Sequence, residues 1–598
     1  MCGFSGWIVD SAIGAKHIVP SLQAIKHRGP DDTRIVSGDD EPTMFSCSLS
    51  NAFSSQNFPS IHNQASKTCF GFNRLSIVDL SDNAMQPFYD NDSNQLFMLN
   101  GEIYNFVELR KTYLSDVDFV SASDSEVAFQ LYKKLGASFV ELLKGMFSIV
   151  MYDYNSSKLK VWRDRLGIKP FYYTLTDNGL FFSSEMKGLF AIDGIGKELN
   201  YTGLAYSMYL GTCPSPLSIY KNIHSLQPGH YLQFDSSTHD IDVKPYWTLK
   251  YEPCYSSISS NTFNNDIEKI CELYATGDVE KAIMLSGGLD SGTLAYFYGK
   301  YSDSMQAVHI HNDNPNSEFE FAQINAQHAG VKINNYNIPL TFSSNEIEFL
   351  LNSEEEPNIS PEPALVLCEK INDLNIKVLY NALGPDELFG GYAYYQTMSK
   401  YSRWRLLLML PLCIFPKKHQ HKIKEIQEHG LDAFPFIARQ IFTWNEVKKF
   451  LIDNNQSIPT HPIAYIQSQI QQAYPQFSNL PLLKKASYYD IFYYISSHHT
   501  FRCDQPSMLF SVEMRFPFLE HTFIEKYFNQ ADTFNEINKS LKPVFRNYIK
   551  PLLSPVVFKM KKQGFGVDIA QLFPSNKHKH ADKQWYLMML KRITEKIN

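Results

Sequence analysis

The sequence predicts a mixed α/β and α+β protein whose two halves have different architectures. The N-terminal half contains many short strand-like segments, including 146–152 and 158–162, and the alternation of apolar and polar residues over such segments predicts two packed sheets. In the C-terminal half, strand-like runs at 306–311 and 378–380 alternate with helix-like runs such as 318–329. This alternation predicts a doubly wound parallel sheet, with a ligand site at the carboxyl ends of its strands.

Length and composition exclude several classes of protein. A chain of 598 residues with 44% hydrophobic and 20% charged residues predicts about two to four ordinary globular domains. A net charge of −7 and a pI near 6.2 provide no basic field, so nucleic acid is not an expected partner. The nine cysteines form no Cys-x-x-Cys pair, and so large a chain needs no disulfides, which favours a reducing, cytoplasmic location.

No segment predicts a leader peptide or a membrane contact. The N-terminus lacks a basic region followed by an apolar core. The most apolar run, 406–415, contains Pro411 and is about half as long as a membrane span. We therefore expect this run to form a buried helix end.

The most informative stretch is Ser-Gly-Gly-Leu-Asp-Ser, which follows a short apolar run and opens a helix-like segment. Gly287 and Gly288 let the backbone approach an anion, and the first helical turn offers free N–H donors. Ser286 and Ser291 add hydroxyl donors, whereas Asp290 beside a phosphate requires a hard cation such as Mg²⁺. An ordinary glycine-rich turn is the alternative, and the absence of Gly-Lys-Ser/Thr excludes a Walker loop. The string resembles the pyrophosphate loop of ATP pyrophosphatases, which cleave ATP between its α- and β-phosphates.

Cys2 is a candidate nucleophile. Removal of Met1 would place a thiol and a free α-amine on the same residue. An amine with a pKa near ~8 suits a general base at neutral pH, and a thiol with a pKa near ~8.5 ionises readily. A cysteine at position 2 by itself also fits a protein without this function.

Further motifs follow in a diagnostic order, although each alone is compatible with a turn, a cap or a surface charge. The motifs are His-Arg-Gly-Pro-Asp-Asp at 27–32, the arginine-containing strand 71–77, the Asn-Gly-Glu segment 97–104, Ser-Asp-Ser-Glu at 123–126, and the segments 163–170 and 184–187. Together they resemble the class II glutamine amidotransferase domain, and the last two narrow the likeness to asparagine synthetases.

This resemblance implies an Ntn-hydrolase α/β/β/α sandwich that hydrolyses glutamine. Cys2 would attack the side-chain amide, form a γ-glutamyl thioester and release ammonia. Asn100 and the N–H of Gly101 would form the oxyanion hole. Arg74 would hold the glutamine α-carboxylate, and Glu102 and Asp124 its α-ammonium group. The implied glutamine-binding set is Arg74, Asn100, Glu102 and Asp124, and no metal is implied in this half.

For the second half, the resemblance implies an adenine-nucleotide α-hydrolase-like domain with a helical extension. Its cofactors would be ATP and Mg²⁺, with Asp290 and Asp386 as the metal-binding carboxylates. The strand end at His309 and Ile310 would hold adenine, and Lys562 would neutralise adenylate or pyrophosphate. The implied ATP-binding residues are Leu285, Ser286, Gly287, Gly288, Asp290, Ser291, His309, Ile310, Asn381, Ala382 and Lys562.

The predicted organisation is an amidotransferase domain over 1–205, a connecting layer over 206–260 and a synthetase-like domain over 261–598. The expected substrates are glutamine, ATP and aspartate or another carboxylate, and a homodimer is left open. Glu513 and Arg515 are either a structural ion pair or part of an active site.

One loop departs from the family pattern. Asparagine synthetases usually read Ser-Gly-Glu-Gly-Ser-Asp-Glu, whereas residues 381–387 read Asn-Ala-Leu-Gly-Pro-Asp-Glu. Leu383 therefore replaces the glutamate placed to handle the proton as ammonia attacks the acyl-adenylate, and relatives that close β-lactam rings have tyrosine there. Three interpretations remain open. Another group supplies the base, the acceptor is a different carboxylate from secondary metabolism or surface-polymer synthesis, or the protein is regulatory with an inactive synthetase half.

Overall fold

A computed structural model describes residues 2–39, 41–301, 305–311, 318–337, 343–360, 363–403, 409–560 and 578–597. The strands of the N-terminal half are β1 Gly3–Gly14, β2 Asp32–Ser37, β3 Thr43–Phe45, β4 Ala65–Arg74, β5 Phe88–Asp90, β6 Gln95–Ile103, β7 Gly145–Asp153, β8 Lys158–Arg163, β9 Tyr172–Thr176, β10 Gly179–Ser183, β11 His224–Ser225, β12 His230–Asp235 and β13 Asp240–Pro245. Its helices are α1 Ile18–Ala24, α2 Ala52–Asn57, α3 Phe106–Tyr113, α4 Asp124–Leu135, α5 Phe139–Leu142, α6 Met186–Phe190 and α7 Tyr201–Leu210.

These strands form two antiparallel sheets packed face to face. The seven-stranded sheet has the order β11-β9-β10-β1-β4-β2-β3, and the six-stranded sheet has the order β13-β12-β8-β7-β6-β5. Phe4 and Phe182 of the first sheet belong to the same buried apolar cluster as Met98 and Val161 of the second. This cluster is the core between the sheets, because inward-facing apolar residues alternate with outward-facing ones along each strand.

Helices cover the outer faces of both sheets. Helix α1 lies so close to β4 that a Cβ atom at Gly71 would stand 2.6 Å from Cδ1 of Leu22. Helix α4 contributes Val127 and Leu131 to a core shared with Phe97 of β6. The order helix, sheet, sheet, helix confirms the predicted sandwich.

The C-terminal half is built on a five-stranded sheet in which every neighbouring pair is parallel. Its strands are β14 Lys281–Met284, β15 Gln306–His311, β16 Lys332–Asn337, β17 Val378–Tyr380 and β18 Glu513–Arg515, in the order β16-β15-β14-β17-β18. The order reverses on either side of β14, which places a topological switch point at the carboxyl end of that strand. The predicted doubly wound parallel fold is confirmed.

The rest of the C-terminal half is mainly helical, as the sequence predicts. The helices are α8 Ser260–Tyr274, α9 Leu289–Tyr298, α10 Phe319–Ala329, α11 Ser344–Asn352, α12 Pro363–Asn372, α13 Pro385–Phe389, α14 Ala393–Arg403, α15 Lys417–His429, α16 Phe434–Arg439, α17 Trp444–Asp453, α18 Pro462–Ala473, α19 Leu482–Tyr489, α20 Thr500–Met508, α21 His521–Phe528, α22 Pro543–Ile549 and α23 His578–Glu595, with a π-helix over Asp490–His499.

Two segments refine the sequence-based expectations. Strands β11, β12 and β13 lie within the predicted connecting layer and extend the two N-terminal sheets. The apolar run 406–415 is only partly described, and there Met409 and Ile414 are 74% and 62% exposed. The expectation of a buried helix end is therefore wrong for residues 409–415, because the side chains of Met409 and Ile414 face solvent. Over the described ranges, no helix combines the length and apolar character needed to cross a membrane.

Candidate active sites

The first site lies where the two N-terminal sheets meet at Cys2. The backbone N–H of Cys2 donates to Oδ1 of Asn100 at 3.1 Å, although 98 residues separate them in the chain. The Nδ2 donor of Asn100 is buried and makes no hydrogen bond with any part of the chain that the structure describes. Such an orphaned donor suits an oxyanion. Burial raises the pKa of the Cys2 thiol, so the thiol form is favoured in this environment.

Gly101, next to Asn100 on β6, has a position that only glycine can occupy. Its φ of +145° is unusual for other residues, and a Cβ atom there would lie 2.0 Å from the carbonyl oxygen of Met146. The glycine therefore lets the strand carry Asn100 against β7 without a clash.

Two buried carboxyl groups lie beside this strand. Asp124 begins α4, and its side chain accepts from the N–H of Ile103 at 2.7 Å and of Ser125 at 2.8 Å. Burial raises the pKa of Asp124 to about 6, despite these bonds. Burial, followed by repulsion from Asp124 and Glu513, raises the pKa of Glu102 well above its usual range. A ligand ammonium group between such carboxyl groups would favour their ionised forms.

Arg74, at the end of β4, is directed by backbone carbonyls. Its guanidinium donates to the carbonyl oxygen of Ser81 at 2.6 Å and to that of Asp79. The residue is buried, and no carboxylate of the described chain forms an ion pair with it. It therefore offers a fixed positive charge to an anionic group.

A buried ionic cluster, which the sequence did not predict, joins Cys2 to the synthetase half. Nε of Arg28 donates to the carbonyl oxygen of Cys2 at 3.1 Å, and its two terminal nitrogens contact Glu185 at 2.7 Å and Asp504 at 2.8 Å. Asp504, on α20, also accepts from Lys169 at 3.3 Å. Arg28 belongs to a motif noted in the sequence, but its pairing with Asp504 across 476 residues has no local signal.

Arg515 links the glutamine-site carboxyls to the 381–385 loop. Its Nη2 atom lies 3.8 Å from Oε2 of Glu102, and its Nε atom donates to Glu513 at 2.6 Å. Its carbonyl oxygen accepts the N–H of Asn381 at 2.9 Å. The Glu513–Arg515 pair is thus structural and also lies between the two candidate sites.

The second site is the loop between β14 and α9, at the switch point of the parallel sheet. The Ser286 hydroxyl lies 2.9 Å from the hydroxyl of Ser291 and accepts the N–H of Gly288 at 3.1 Å. Gly288 is the N-cap of α9, with no side chain over the first turn. A Cβ atom at Gly287 would lie 2.8 Å from the carbonyl oxygen of Glu318. The loop therefore presents backbone donors of a helix N-terminus, as a phosphate site requires.

The predicted adenine residues lie on the neighbouring strand β15. Nδ1 of His309 lies 2.7 Å from the carbonyl oxygen of Leu285, which fixes its proton on Nδ1. Nε2 of His309 is buried without a hydrogen-bond partner in the described ranges, and burial lowers the pKa of this histidine. A neutral, orphaned acceptor at this position fits the exocyclic amine of adenine. Ile310 is buried beside it.

The divergent loop follows β17. Asn381 contacts Sδ of Met284 at 3.6 Å, which brings the loop against the strand that precedes the phosphate loop. Ala382 and Leu383 are half-buried and pack against the main apolar core. Leucine has no ionisable group, so residue 383 itself cannot accept or donate a proton as the glutamate of the family pattern would.

Asp290 and Asp386, the predicted metal ligands, both contact the ammonium group of Lys542. Nζ of Lys542 lies 2.7 Å from Oδ1 and 2.5 Å from Oδ2 of Asp290, and 2.7 Å from Oδ1 of Asp386. The carboxylates are thus close enough to share a positive charge, which fits a Mg²⁺ ion held by two carboxylates and by substrate phosphates. Over the described ranges no group of three or more potential protein ligands is found. Lys542 had no recognisable motif, and its separation of 252 residues from Asp290 explains why the sequence did not reveal it.

Lys562, the remaining predicted ATP contact, lies outside the described residues.

Comparisons with known proteins agree with this arrangement. A glutamine amidotransferase domain model matches residues 59–247, and an asparagine synthase model matches residues 267–587, more than half of the chain. This chain belongs to the asparagine synthase family. Members of this family consume small molecules such as glutamine and ATP.

Individual members of the family differ in name and in the extent of similarity. The chain is 32% identical over 426 residues to asparagine synthetase 2 (glutamine-hydrolyzing) of Bacillus subtilis, covering 66% of this chain and 52% of that protein. It is 25% identical over 514 residues to asparagine synthetase 1 of the same organism, covering 84% and 80%. It is also 30% identical over 346 residues to amidase chyE of Penicillium rubens, covering 54% and 51%. The matches thus span about half the length of two of these three relatives.

Proposed function

We propose that this protein hydrolyses glutamine at Cys2 and uses the released ammonia to amidate a carboxylate that it activates with ATP. The observation that carries the proposal is that Asp290 and Asp386 both contact the ammonium group of Lys542. These residues come from the two signature loops, and both loops follow strands of the parallel sheet. Binding of a polyphosphate at this edge agrees with the general position of ligands in such folds.

In the first half-reaction, Cys2 is the proposed nucleophile. Removal of Met1 would turn the nitrogen held by Asn100 at 3.1 Å into an α-amine, which would take the thiol proton. Asn100 Nδ2 and the Gly101 N–H would stabilise the oxyanion, while Arg74, Glu102 and Asp124 would orient the amino-acid end of glutamine.

In the second half-reaction, the loop 285–291 would cradle the phosphates of ATP, and His309, Ile310, Asn381 and Ala382 would contact the nucleoside part. Asp290 and Asp386 would hold Mg²⁺, which neutralises phosphate charge when bound. Lys562 is proposed to add a further positive charge. Because free ammonia is mostly ammonium at neutral pH, we also propose a covered passage between the sites, and the Glu102–Arg515–Asn381 contacts support their proximity.

Aspartate is the leading acceptor, which would make asparagine the product. A different carboxylate is the second candidate, and Leu383 is the observation that favours it, because leucine cannot act as the base. The similarity to a protein named an amidase is consistent with this candidate.

The test follows glutamate, AMP, pyrophosphate and asparagine together from glutamine, ATP and Mg²⁺, with and without aspartate. We expect ATP-dependent pyrophosphate release, and dependence on aspartate would identify the acceptor. Asp290→Asn and Asp386→Asn should each lower pyrophosphate release at least about 100-fold while glutamine hydrolysis persists. Asp266→Asn is the matched control, because Asp266 pairs with Lys526 instead of Lys542. Glutamate release without pyrophosphate, both with aspartate and with a panel of other small carboxylates, would indicate an inactive synthetase half and contradict the proposal.

A further inference from the structure

Lys542 occupies the space between the two carboxylates of the nucleotide site. Only 9% of its side chain is exposed, compared with 21% for Asp290 and 23% for Asp386. Its ammonium group contacts three carboxylate oxygens at 2.5 to 2.7 Å. These short, charge-assisted contacts make it the counter-ion of both acids.

The backbone holds Lys542 in this place by several interactions. Its φ of 50° and ψ of 49° lie in the left-handed region, which non-glycine residues seldom adopt without support. Its N–H donates to the carbonyl oxygen of Gly390 at 3.2 Å, directly after α13, the helix that carries Asp386. Pro543 begins α22 immediately after it. The lysine is therefore fixed to the same structural unit as one of its partners.

A second feature keeps the Asp386 carboxylate in a defined position. A Cβ atom at Gly391 would lie 1.7 Å from Oδ1 of Asp386, so a larger residue would displace the carboxylate. The glycine thus leaves room for the oxygen that contacts Lys542.

The ammonium group and a divalent cation would require the same volume. Mg²⁺ binds carboxylate oxygens at about 2.0–2.1 Å, and the lysine nitrogen already lies between those oxygens. Two cations in direct contact with the same pair of acids would repel each other strongly. Entry of the metal therefore requires the ammonium group to move.

We propose that Lys542 is an internal counter-ion for Asp290 and Asp386, and that a divalent cation binds only by displacing it. This inference rests on the proposed function, because it takes these two acids as the metal ligands. In the absence of nucleotide, the lysine stabilises the paired acids and weakens metal binding. The negative charge of a bound triphosphate then compensates for the added positive charge, so the metal and ATP bind cooperatively.

The experiment measures Mn²⁺ binding to the full chain by electron paramagnetic resonance, without nucleotide, glutamine or acceptor. Lys542→Met should bind Mn²⁺ at least about tenfold more tightly than the unaltered protein, because the competing charge-assisted contacts of the ammonium group are absent. Lys542→Arg keeps the charge and should retain weak binding. Lys539→Met is the matched control, because Lys539 is exposed and pairs only with Glu536 within the described part of the loop. Mn²⁺ should also raise the thermal midpoint of Lys542→Met more than that of the unaltered protein.

Equal or weaker Mn²⁺ binding by Lys542→Met would overturn the inference. Circular dichroism and the glutaminase rate report the fold of each variant, and Lys542→Gln replaces Lys542→Met if the latter does not fold. The metal assignment is tested separately with Asp290→Asn in the presence of ATP. If this variant binds Mn²⁺ and ATP as tightly as the unaltered protein, the proposed metal ligands are wrong. If its binding is lost while Lys542→Met remains unchanged, only the role of Lys542 is wrong.

Discussion

Asn100 offers the sharpest test of the glutaminase site, because its two side-chain atoms have separable roles. Oδ1 accepts the backbone N–H of Cys2 at 3.1 Å, whereas Nδ2 is buried without a partner in the described ranges. The first contact positions the nucleophile. The second atom is the proposed donor to the oxyanion.

Asn100→Ala removes both atoms. Loss of Nδ2 is expected to lower the catalytic rate, and loss of Oδ1 is expected to lower the stability of the fold. Loss of an oxyanion donor lowers kcat by about 10²–10³, equivalent to about 2.7–4 kcal/mol. KM should change little, because this donor acts on charge that develops in the transition state. The Cys2 N–H would also lose its acceptor, which costs about 1–3 kcal/mol of stability for a buried donor.

Asn105→Ala is the control that distinguishes an effect on catalysis from an effect on stability. Asn105 is buried two residues after the end of β6, the strand that carries Asn100, donates to the carbonyl oxygen of Leu142 at 3.0 Å and accepts the N–H of Lys144 at 2.9 Å. Its replacement should lower the thermal midpoint by a similar amount, with kcat within about twofold of the unaltered protein. The assay measures glutamate release from glutamine without ATP. An Asn100→Ala protein with kcat reduced less than about tenfold, or an equal loss in Asn105→Ala, would refute the oxyanion role.

Three further predictions concern the two half-reactions. Cys2→Ala should abolish glutamine hydrolysis and retain ammonia-driven synthesis, and retained glutaminase activity would contradict the role of Cys2 as nucleophile. Intact-mass spectrometry of the unaltered protein should show that Met1 is removed. An intact Met1 in an active preparation would contradict the role of the Cys2 α-amine as the base. The unaltered protein should form asparagine slowly or not at all, and Leu383→Glu should accelerate ammonia transfer if aspartate is the acceptor, because a positioned base is worth about 10²–10⁴ in rate. Fast stoichiometric asparagine formation before the substitution would refute that reasoning. Burial raises the pKa of Asp124 to about 6, so its carboxyl group is ionised above that pH and neutral below it. A neutral carboxyl group attracts the glutamine ammonium group less strongly. The affinity of Cys2→Ala for glutamine should therefore fall as the pH is lowered through about 6. Calorimetric titration measures this affinity, and a constant value from about pH 7.5 to about pH 5 would exclude Asp124 as the ammonium ligand.

The sequence predicted those features whose causes are local. Side chains alternate between the two faces of a strand, so the pattern of the N-terminal strands determines which faces are buried. After residue 280, strands alternate with helices, which indicates a parallel sheet. Both architectures could therefore be predicted from the sequence. Gly287 marks a close backbone approach for a similarly local reason, since a Cβ atom there would lie 2.8 Å from the carbonyl oxygen of Glu318. The resemblance then supplied residue roles, most of which lie together in the structure and remain proposals.

Tertiary structure decided which charged residues meet. Arg28 reaches Asp504 and Lys542 reaches Asp290 only because the folded sheets bring distant segments together, and a single charged residue has no periodic pattern that reveals its partner. The run 406–415 shows that composition alone does not decide burial. Its apolar residues predicted burial, whereas Met409 and Ile414 are exposed. Composition and local pattern therefore determined the architecture and the phosphate loop. The pairing of Lys542 with Asp290 and Asp386 and the ionic link between the halves depend on contacts that form only when the whole chain has folded.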